Sequence, residues 1–190
     1  HTDYSMLDGA AKVDELLDKA VELKMPAIAI TDHGNNFGAW DFWNQAKARG
    51  IKPIIGIEAY LAPGSRLDKS KTTWADGGED DISKGSYTHL TMLSTDNESM
   101  FNLFKLSSYA WLEGYYFQPR MDRELLSKYA KGIVATTGCA SGEVQTRIRL
   151  GQYDKALETA AEFRDIFGKE NYFVEIMDHG AGIEKRTFAD

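Results

Sequence analysis

The chain has 190 residues, of which 43% are apolar and 27% charged, a composition that excludes intrinsic disorder and is ordinary for a folded protein. Its net charge of −7, from 29 acidic and 22 basic residues, excludes nucleic-acid binding by bulk attraction, so phosphate contact would need a local patch or bound metal. The single cysteine, Cys139, excludes an internal disulfide, and the lack of an apolar run of roughly 18 residues or a signal-peptide pattern predicts a cytoplasmic protein.

Helices and short strands are predicted to alternate along the chain, because the spacing of apolar residues switches repeatedly between the pattern of a helix and that of a strand. This alternation predicts an α/β fold with a mainly parallel sheet, in one domain spanning residues 1–190. The Gly-, Ser-, Asp- and Lys-rich residues 63–86 are predicted to be a long surface loop inserted in that domain. The predicted helices are 13–24, 38–48, 97–110, 122–130 and 152–167, and the predicted strands are 27–31, 53–62, 87–93, 132–137 and 172–178.

Several side chains able to bind metal lie near the ends of these strands or in loops. In parallel α/β folds, functional groups collect beyond the carboxyl ends of strands. Imidazole, carboxylate and thiolate together suit Zn²⁺, and carboxylates also suit Mn²⁺ or Fe. The sequence therefore predicts a cluster of divalent ions that clamps a phosphate and activates a bound water. The residues are His1, Asp8, Asp32, His33, Glu58 and Cys139.

Three of these residues also have a structural interpretation when each is considered alone. His33 would then be a hydrogen-bonded loop residue, and Asp32 would cap the following helix or brace His33. Cys139 would be simple packing. Glu58 favours function, because a carboxylate inside an apolar strand is costly to bury without a partner.

Two further histidines differ in how well they fit the carboxyl-end rule. His89 lies early in its predicted strand, so the pattern favours a core or surface role. His179 follows the last predicted strand and fits the rule better.

Six segments occur in order along almost the whole chain: HTDYSMLDGA, TDHGNNFGA, IKPIIGIEAY, YTHLTML, TTGCASGEVQTR and YFVEIMDHG. In that order they resemble the motifs of the polymerase-and-histidinol-phosphatase (PHP) domain family. More narrowly, they resemble the branch at the start of the alpha subunit of bacterial replicative DNA polymerase III, of the actinobacterial type. The resemblance implies a distorted barrel of seven strand–helix units, here truncated at both ends, with up to three metal ions in its mouth.

The resemblance also implies which residues bind the metal ions. It selects His89 and not His179, and it places three more expected ligands outside the chain. Cys139 stands where the phosphatases have histidine, and this softer ligand favours Zn²⁺ over Mn²⁺. The implied metal ligands are His1, Asp8, His33, Glu58, His89 and Cys139, of which Asp8, His33 and Glu58 are the expected catalytic residues.

The function that the resemblance implies is a metal-dependent 3′–5′ exonuclease that proofreads during DNA replication, by attack of a metal-bound hydroxide on a phosphodiester. The polymerase chemistry would lie in later domains. The expected partners are the 3′ end of the primer strand, the remaining polymerase domains and replisome subunits such as the sliding clamp. Two alternatives stay open: a metal-stabilised structural module that binds partners without hydrolysis, and a free-standing phosphatase of the histidinol-phosphatase type.

Two other groups of residues have both a structural and a nucleic-acid interpretation. The aromatic residues within 111–117, beside Arg120, are compatible with stacking on single-stranded DNA, although the pattern favours a corner between helices. Arg147 and Arg149 are compatible with a phosphate contact, although a solvated helix face is favoured.

Overall fold

A computed structural model describes residues 1–73 and 84–188. No helix within these ranges has both the length and the apolar character needed to cross a lipid bilayer. The helices are α1 (Val13–Glu22), α2 (Ala39–Ala48), α3 (Asn97–Leu112), α4 (Arg123–Tyr129), α5 (Glu143–Arg149), α6 (Tyr153–Phe167) and α7 (Gly182–Phe188). The strands are β1 (Ala27–Ile30), β2 (Lys52–Leu61), β3 (Thr72–Thr73), β4 (Lys84–Gly85), β5 (Thr88–Ser94), β6 (Arg120–Met121), β7 (Ile133–Thr136) and β8 (Tyr172–Phe173).

The main sheet is mixed, with its strands in the order β1-β2-β5-β7-β8 and with β6 beside the end of β2. The predicted α/β class is confirmed. The expectation of a mainly parallel sheet is wrong at β5, which runs antiparallel to both β2 and β7. No helix occupies the described residues between β2 and β5, and an antiparallel pair needs no helical crossover.

Alternation along β2 and β5 gives the sheet one apolar and one polar face. Ile57, Ala59 and Leu61 of β2 are buried in the main core together with Leu90 and Met92 of β5. Side chains of α3, α4 and α6 pack in the same core. The residues that alternate with these buried positions in β2 and β5 therefore face the other side of the sheet. Glu58, Tyr60 and His89 are among them.

A second apolar cluster joins α1 and α2 to β1 and the first half of β2. Leu17 and Phe42 are fully buried there, and Ile30 and Ile55 cover them from the sheet. This packing fixes the direction of β1, and with it the position of the residues that follow Ile30.

Arg120 holds the predicted surface loop 63–86 to the body of the protein. Its fully buried guanidinium donates to the carbonyl oxygens of Asp68 at 2.6 Å and Ser86 at 3.0 Å. Ser86 is buried rather than exposed, because its carbonyl is hydrogen-bonded to this buried arginine. The short strands β3 and β4 pair within the same segment, and residues 74–83 lie outside the described ranges.

Some short elements differ from the sequence prediction. The sequence does not predict α5, because its buried side includes the polar Glu143, Gln145 and Thr146, so no apolar period marks it. It also does not predict α7, β3, β4 and β6. The predicted strand 172–178 is reduced to β8, because its partner β7 ends at Thr136, and no strand of the described residues pairs with the segment beyond Phe173.

Candidate metal centre

The buried carboxylate of Glu58 lies at the centre of a cluster of imidazole rings. Its side chain is on the polar face of β2, and the residue is only 4% exposed. Nδ1 of His33 lies 2.6 Å from Oε2, and Nε2 of His1 lies 3.2 Å from the same oxygen. Nδ1 of His89 lies 2.9 Å from Oε1. One carboxylate therefore contacts three imidazoles, each contributed by a different segment of the chain.

His33 is placed beside Glu58 by two backbone hydrogen bonds that extend the pairing of β1 with β2. The amide of Glu58 donates to the carbonyl of Asp32 at 3.1 Å, and the amide of Gly34 donates to the carbonyl of Glu58 at 2.9 Å. Gly34 has a φ of 63°, a conformation that favours glycine and turns the chain away after His33. The segment that follows β1 is thus shaped to point one imidazole at one strand carboxylate.

His89 reaches the cluster because β5 runs antiparallel to β2. The register pairs Tyr60 with His89 and Leu61 with Thr88, so the beginning of β5 lies beside the end of β2. The carboxyl-end rule disfavours His89 because it assumes parallel strands. Alternation with the buried Leu90 would have assigned the histidine to the polar face.

Cys139 follows β7 and approaches both Glu58 and His89. Its Sγ lies 3.3 Å from Oε1 of Glu58 and 3.4 Å from Nδ1 of His89. The backbone amide of Ser141 donates to Sγ at 3.4 Å, and the carbonyl of Ser141 accepts from the amide of His89 at 3.0 Å. The turn after β7 is therefore tied to β5, which fixes the sulfur beside the imidazole.

Asp32 holds the opening segment of the chain against β1. It is 1% exposed and accepts hydrogen bonds from the Thr2 amide at 2.6 Å, the Thr2 hydroxyl at 2.9 Å and the Ser5 hydroxyl at 2.7 Å. The ring of His1, next to Thr2, stacks on the ring of His33 with 3.9 Å between centroids. Asp32 therefore braces the site through the opening segment, and it does not cap α2, whose N-cap is Gly38.

Asp8 contacts the cluster through His33. Its Oδ2 lies 2.8 Å from Nε2 of that ring, on the side opposite Glu58, and its side chain is about half exposed. A hydrogen bond from Nε2–H to the Asp8 carboxylate leaves Nδ1 as the nitrogen that either shares a proton with Glu58 or, in the neutral ring, binds a cation.

The electrostatics of the cluster strongly favour ionised Glu58. Burial opposes its ionisation, but contacts with His1, His33 and His89 together hold its pKa well below the ordinary value. Contact with Glu58 in turn raises the pKa of His1 and of His33, against the opposing effect of burial. Burial also lowers the pKa of His89, but its contacts with Cys139 and Glu58 outweigh burial and raise the pKa to about 9. Without bound metal, Glu58 therefore favours the protonated form of these rings.

The residues present fit a divalent metal. Nδ1 of His33 and Oε2 of Glu58 are both buried and lie 2.6 Å apart, yet within the described part of the chain neither has an aligned hydrogen-bond partner. Two lone-pair atoms at this distance repel unless a cation or proton lies between them. Two groups of three side chains, His1–His33–Glu58 and Glu58–His89–Cys139, each bring their ligand atoms within 4.8 Å of one another. Asp8 belongs to neither group.

Two tyrosines that the sequence analysis did not single out line the mouth of the cluster. Tyr60 packs edge-on against His89 with 5.2 Å between ring centroids, and Tyr87 packs edge-on against Tyr60 at 4.9 Å. Burial and the nearby Tyr87 raise the pKa of Tyr60 to about 12, so it stays neutral at physiological pH. The position of Tyr60, two residues after Glu58 in a strand, is the signal that could have indicated it.

The remaining candidates lie outside the cluster. His179 contacts Glu184 at 2.7 Å and belongs to neither group of possible ligands among the described residues. Arg147 pairs with the buried Glu143 at 2.8 Å, so this helix face is packed against the protein and the expectation of a solvated face is wrong there. Trp111 is 41% exposed and donates its ring N–H to the carbonyl of Gly34 at 3.0 Å, so it is more than a buried helix corner.

Comparisons with known proteins give a family and a set of relatives. The family model described as "PHP domain" matches residues 1–179. The DNA polymerase III subunit alpha of Saccharopolyspora erythraea is 57% identical over 97% of this chain, and that of Mycobacterium tuberculosis is 57% identical over 98%. The same subunit of Deinococcus radiodurans is 47% identical over 98% of the chain. The chain spans 16% of the length of the first two relatives and 14% of the third.

One solved structure is also similar in part. An amidohydrolase from Chromobacterium violaceum, with bound sulfate and no metal, superposes with a TM-score of 0.42 and 13% identity. The match covers 90% of this chain and 82% of that one.

Proposed function

The chain belongs to the PHP domain family, and from this premise we propose that it is a metal-dependent 3′–5′ exonuclease acting within a DNA polymerase III alpha subunit. Its substrate would be the 3′ end of a primer strand, and its role would be proofreading during replication in the cytoplasm. Polymerisation would belong to other domains of that subunit, with which this chain would be in contact. The sliding clamp and other replisome subunits would be partners of the whole protein.

The observation that carries the proposal is the convergence of side chains able to bind metal on one buried carboxylate. Glu58 contributes an oxygen to each of two three-residue groups, one with His1 and His33 and one with His89 and Cys139. Such a density of imidazoles and acids in one mouth is costly to assemble unless cations are bound there. A histidine or cysteine with only a structural role would not have to lie beside the other side chains of the cluster.

The proposed chemistry assigns a task to each group. Bound divalent cations would supply Lewis acidity toward a phosphoryl group and would activate a water molecule. His1, His33 and Glu58 would hold one cation, and Glu58, His89 and Cys139 would hold a second. Asp8 would keep the proton on Nε2 of His33, so that Nδ1 remains a ligand atom. Of these side chains, His33, Glu58 and Asp8 would lie nearest the reaction.

Zn²⁺ or Mn²⁺ would be the resident metal, and the thiol favours Zn²⁺. The His1 group offers only nitrogen and oxygen atoms, which both ions accept. The group with Cys139 includes sulfur, a softer ligand that Zn²⁺ accepts more readily than Mn²⁺. The complete domain would hold up to three ions.

The experiment that tests the proposal uses the full-length protein that contains this chain, purified without any other proofreading nuclease. With Mn²⁺ or Zn²⁺, it should shorten a primer with a mismatched 3′ end. The substitution Glu58→Gln keeps the size of the side chain and removes its charge, so both metal and trimming should be lost. Glu15→Gln, at an exposed position on α1, is the matched control and should change neither.

Trimming by the Glu58→Gln protein at the parental rate would refute the catalytic assignment. A parent that binds metal but never shortens the primer would support the structural module instead, particularly if metal removal lowered its melting temperature. Rapid hydrolysis of a small phosphate monoester in place of the primer would support the phosphatase alternative.

A further inference from the structure

A cavity of about 390 Å³ opens directly over the candidate metal centre. Its lining includes two of the candidate ligands, His33 and His89, together with the aromatic rings of Phe37 and Trp111. The volume lies in the range of small-ligand pockets, about 300–1,000 Å³. The metal ligands therefore share one chamber with an apolar wall that the proposed hydrolysis does not use.

Phe37 is held in the solvent by the same segment that positions His33. It is 66% exposed, while its amide donates to Oδ1 of Asn35 at 3.0 Å and the neighbouring Asn36 donates its side-chain amide to the carbonyl of Gly56 at 2.7 Å. Both asparagines restrict the backbone around the ring. Phe37 thus contributes an exposed apolar side chain, on a restricted backbone, to the lining of the cavity.

Trp111 extends this aromatic surface from the side of α3. Its hydrogen bond to the Gly34 carbonyl anchors the indole ring to the residue after His33. The rings of Phe37 and Trp111 lie 6.1 Å apart with 31° between their planes, so together they form one tilted wall. Met6 and Leu7, at 91% and 98% exposure, continue the apolar rim along the opening segment.

We propose that Phe37 and Trp111 form a stacking wall for the nucleobase of the terminal nucleotide whose phosphodiester meets the candidate metal centre. This inference rests on the proposed function and adds to it the group that recognises the leaving nucleotide. A nucleotide consists of a flat apolar base joined to an anionic phosphate. The aromatic rings suit the base, and the adjacent candidate metal centre suits the phosphate. Stacking tolerates any base, as a nuclease that removes whichever nucleotide is present requires.

The charge of the cavity favours a nucleobase, rather than additional phosphate groups, as the second part of the substrate that binds there. Among the described residues that line the cavity there is no lysine or arginine. The whole chain is acidic, with a net charge of −7. Apart from the cations, attraction of the substrate would therefore come from stacking rather than from basic side chains.

The test measures binding without hydrolysis, in the full-length protein with metal removed by a chelator. Two 5′-labelled oligothymidylates are compared by fluorescence anisotropy, one with a normal 3′-terminal nucleotide and one whose terminal nucleotide lacks its base. The normal probe should bind about 5- to about 150-fold more tightly, the range expected for one base on an aromatic ring. Phe37→Leu should abolish most of this difference, while Phe101→Leu, which changes an exposed phenylalanine elsewhere, on α3, should leave it intact.

A second measurement locates the base directly. A probe with 5-iododeoxyuridine at its 3′ terminus, irradiated in the complex, should crosslink to peptides that contain Phe37 or Trp111. Equal affinity of the two probes, an undiminished difference in the Phe37→Leu protein, or crosslinks confined to other domains would each overturn the inference.

The outcomes separate this inference from the proposed function. A protein that prefers the normal probe through Phe37 but never trims it supports the stacking wall and contradicts the exonuclease. A protein that trims the primer with Mn²⁺ or Zn²⁺, but binds both probes equally well, supports the exonuclease and contradicts the stacking wall.

Discussion

Replacing Asp32 by asparagine should detach the opening segment and weaken metal binding without touching a ligand. The buried carboxylate accepts three hydrogen bonds, two at Oδ1 and one at Oδ2. Asparagine has one oxygen, so it can keep the first two, each weakened by about 1 kcal/mol because the acceptor is no longer charged, and it exchanges the third for a neutral bond from its amide to the Thr2 hydroxyl, at a similar cost. The total is about 3 kcal/mol, taken from the contacts that place His1 and Asp8 beside His33.

Metal titration and hydrogen exchange of the full-length protein measure the two consequences. Affinity for Mn²⁺ or Zn²⁺ should fall about 10- to 100-fold, as is typical when a residue that orients ligands is changed. The amides of Ser5 and Gly9, which are bonded within the opening segment, should exchange about 100-fold faster. Asp3→Asn, at an exposed acid of the same segment, is the control and should change neither quantity. Unchanged metal affinity together with faster exchange would show that the opening segment contributes no ligand, and would refute the reasoning.

Four further predictions test other parts of the site. Cys139→His should lower the preference for Zn²⁺ over Mn²⁺ in a competition titration, since it replaces sulfur by a harder ligand; an unchanged preference would exclude the sulfur as a ligand. Metal binding at pH 7 should release protons, because the metal-free His89 has a pKa of about 9 and must lose its proton to bind; calorimetry in two buffers of different ionisation enthalpy measures the number released, and zero would contradict the assignment. By the same linkage, the metal-free protein should lose stability as the pH rises from about 6.5 toward 9, because the raised pKa favours the protonated folded form. Gly34→Ala should lower the melting temperature and the bound metal together, because a φ of 63° costs about 1–2 kcal/mol for alanine and the added Cβ would lie 2.9 Å from the Tyr60 ring; an unchanged metal content would show that this turn does not position the ligand before it.

The centre of the site could be predicted from the sequence, whereas the direction of its strands could not. A carboxylate within the apolar run of β2 already indicates function, because burial without a partner is costly, and Glu58 does lie at the centre of the cluster. The position of His89 contradicts the carboxyl-end rule only because β5 is antiparallel to β2. Strand direction depends on which elements the chain connects and how, and local periodicity carries no information about it.

The supporting residues were harder to predict because their partners are distant in sequence. Asp32 binds Thr2 and Ser5 about thirty positions upstream, and nothing in the local pattern distinguishes this role from a helix cap. Phe37 resembles an ordinary first residue of an apolar helix face, and only the fold reveals that it stays exposed. In both cases the tertiary contacts decide the role.

The buried guanidinium of Arg120 suggests where foreign sequence can be inserted into this protein. Because it secures the chain at Asp68 and again at Ser86, added length between those two points would not pull on β2 or β5. Each doubling of such a segment adds only about 0.6 kcal/mol of closure entropy. A fluorescent reporter grafted there would leave the pairing of β2 with β5 undisturbed, whereas the same graft between His33 and Phe37 would disrupt the turn on which the imidazole depends.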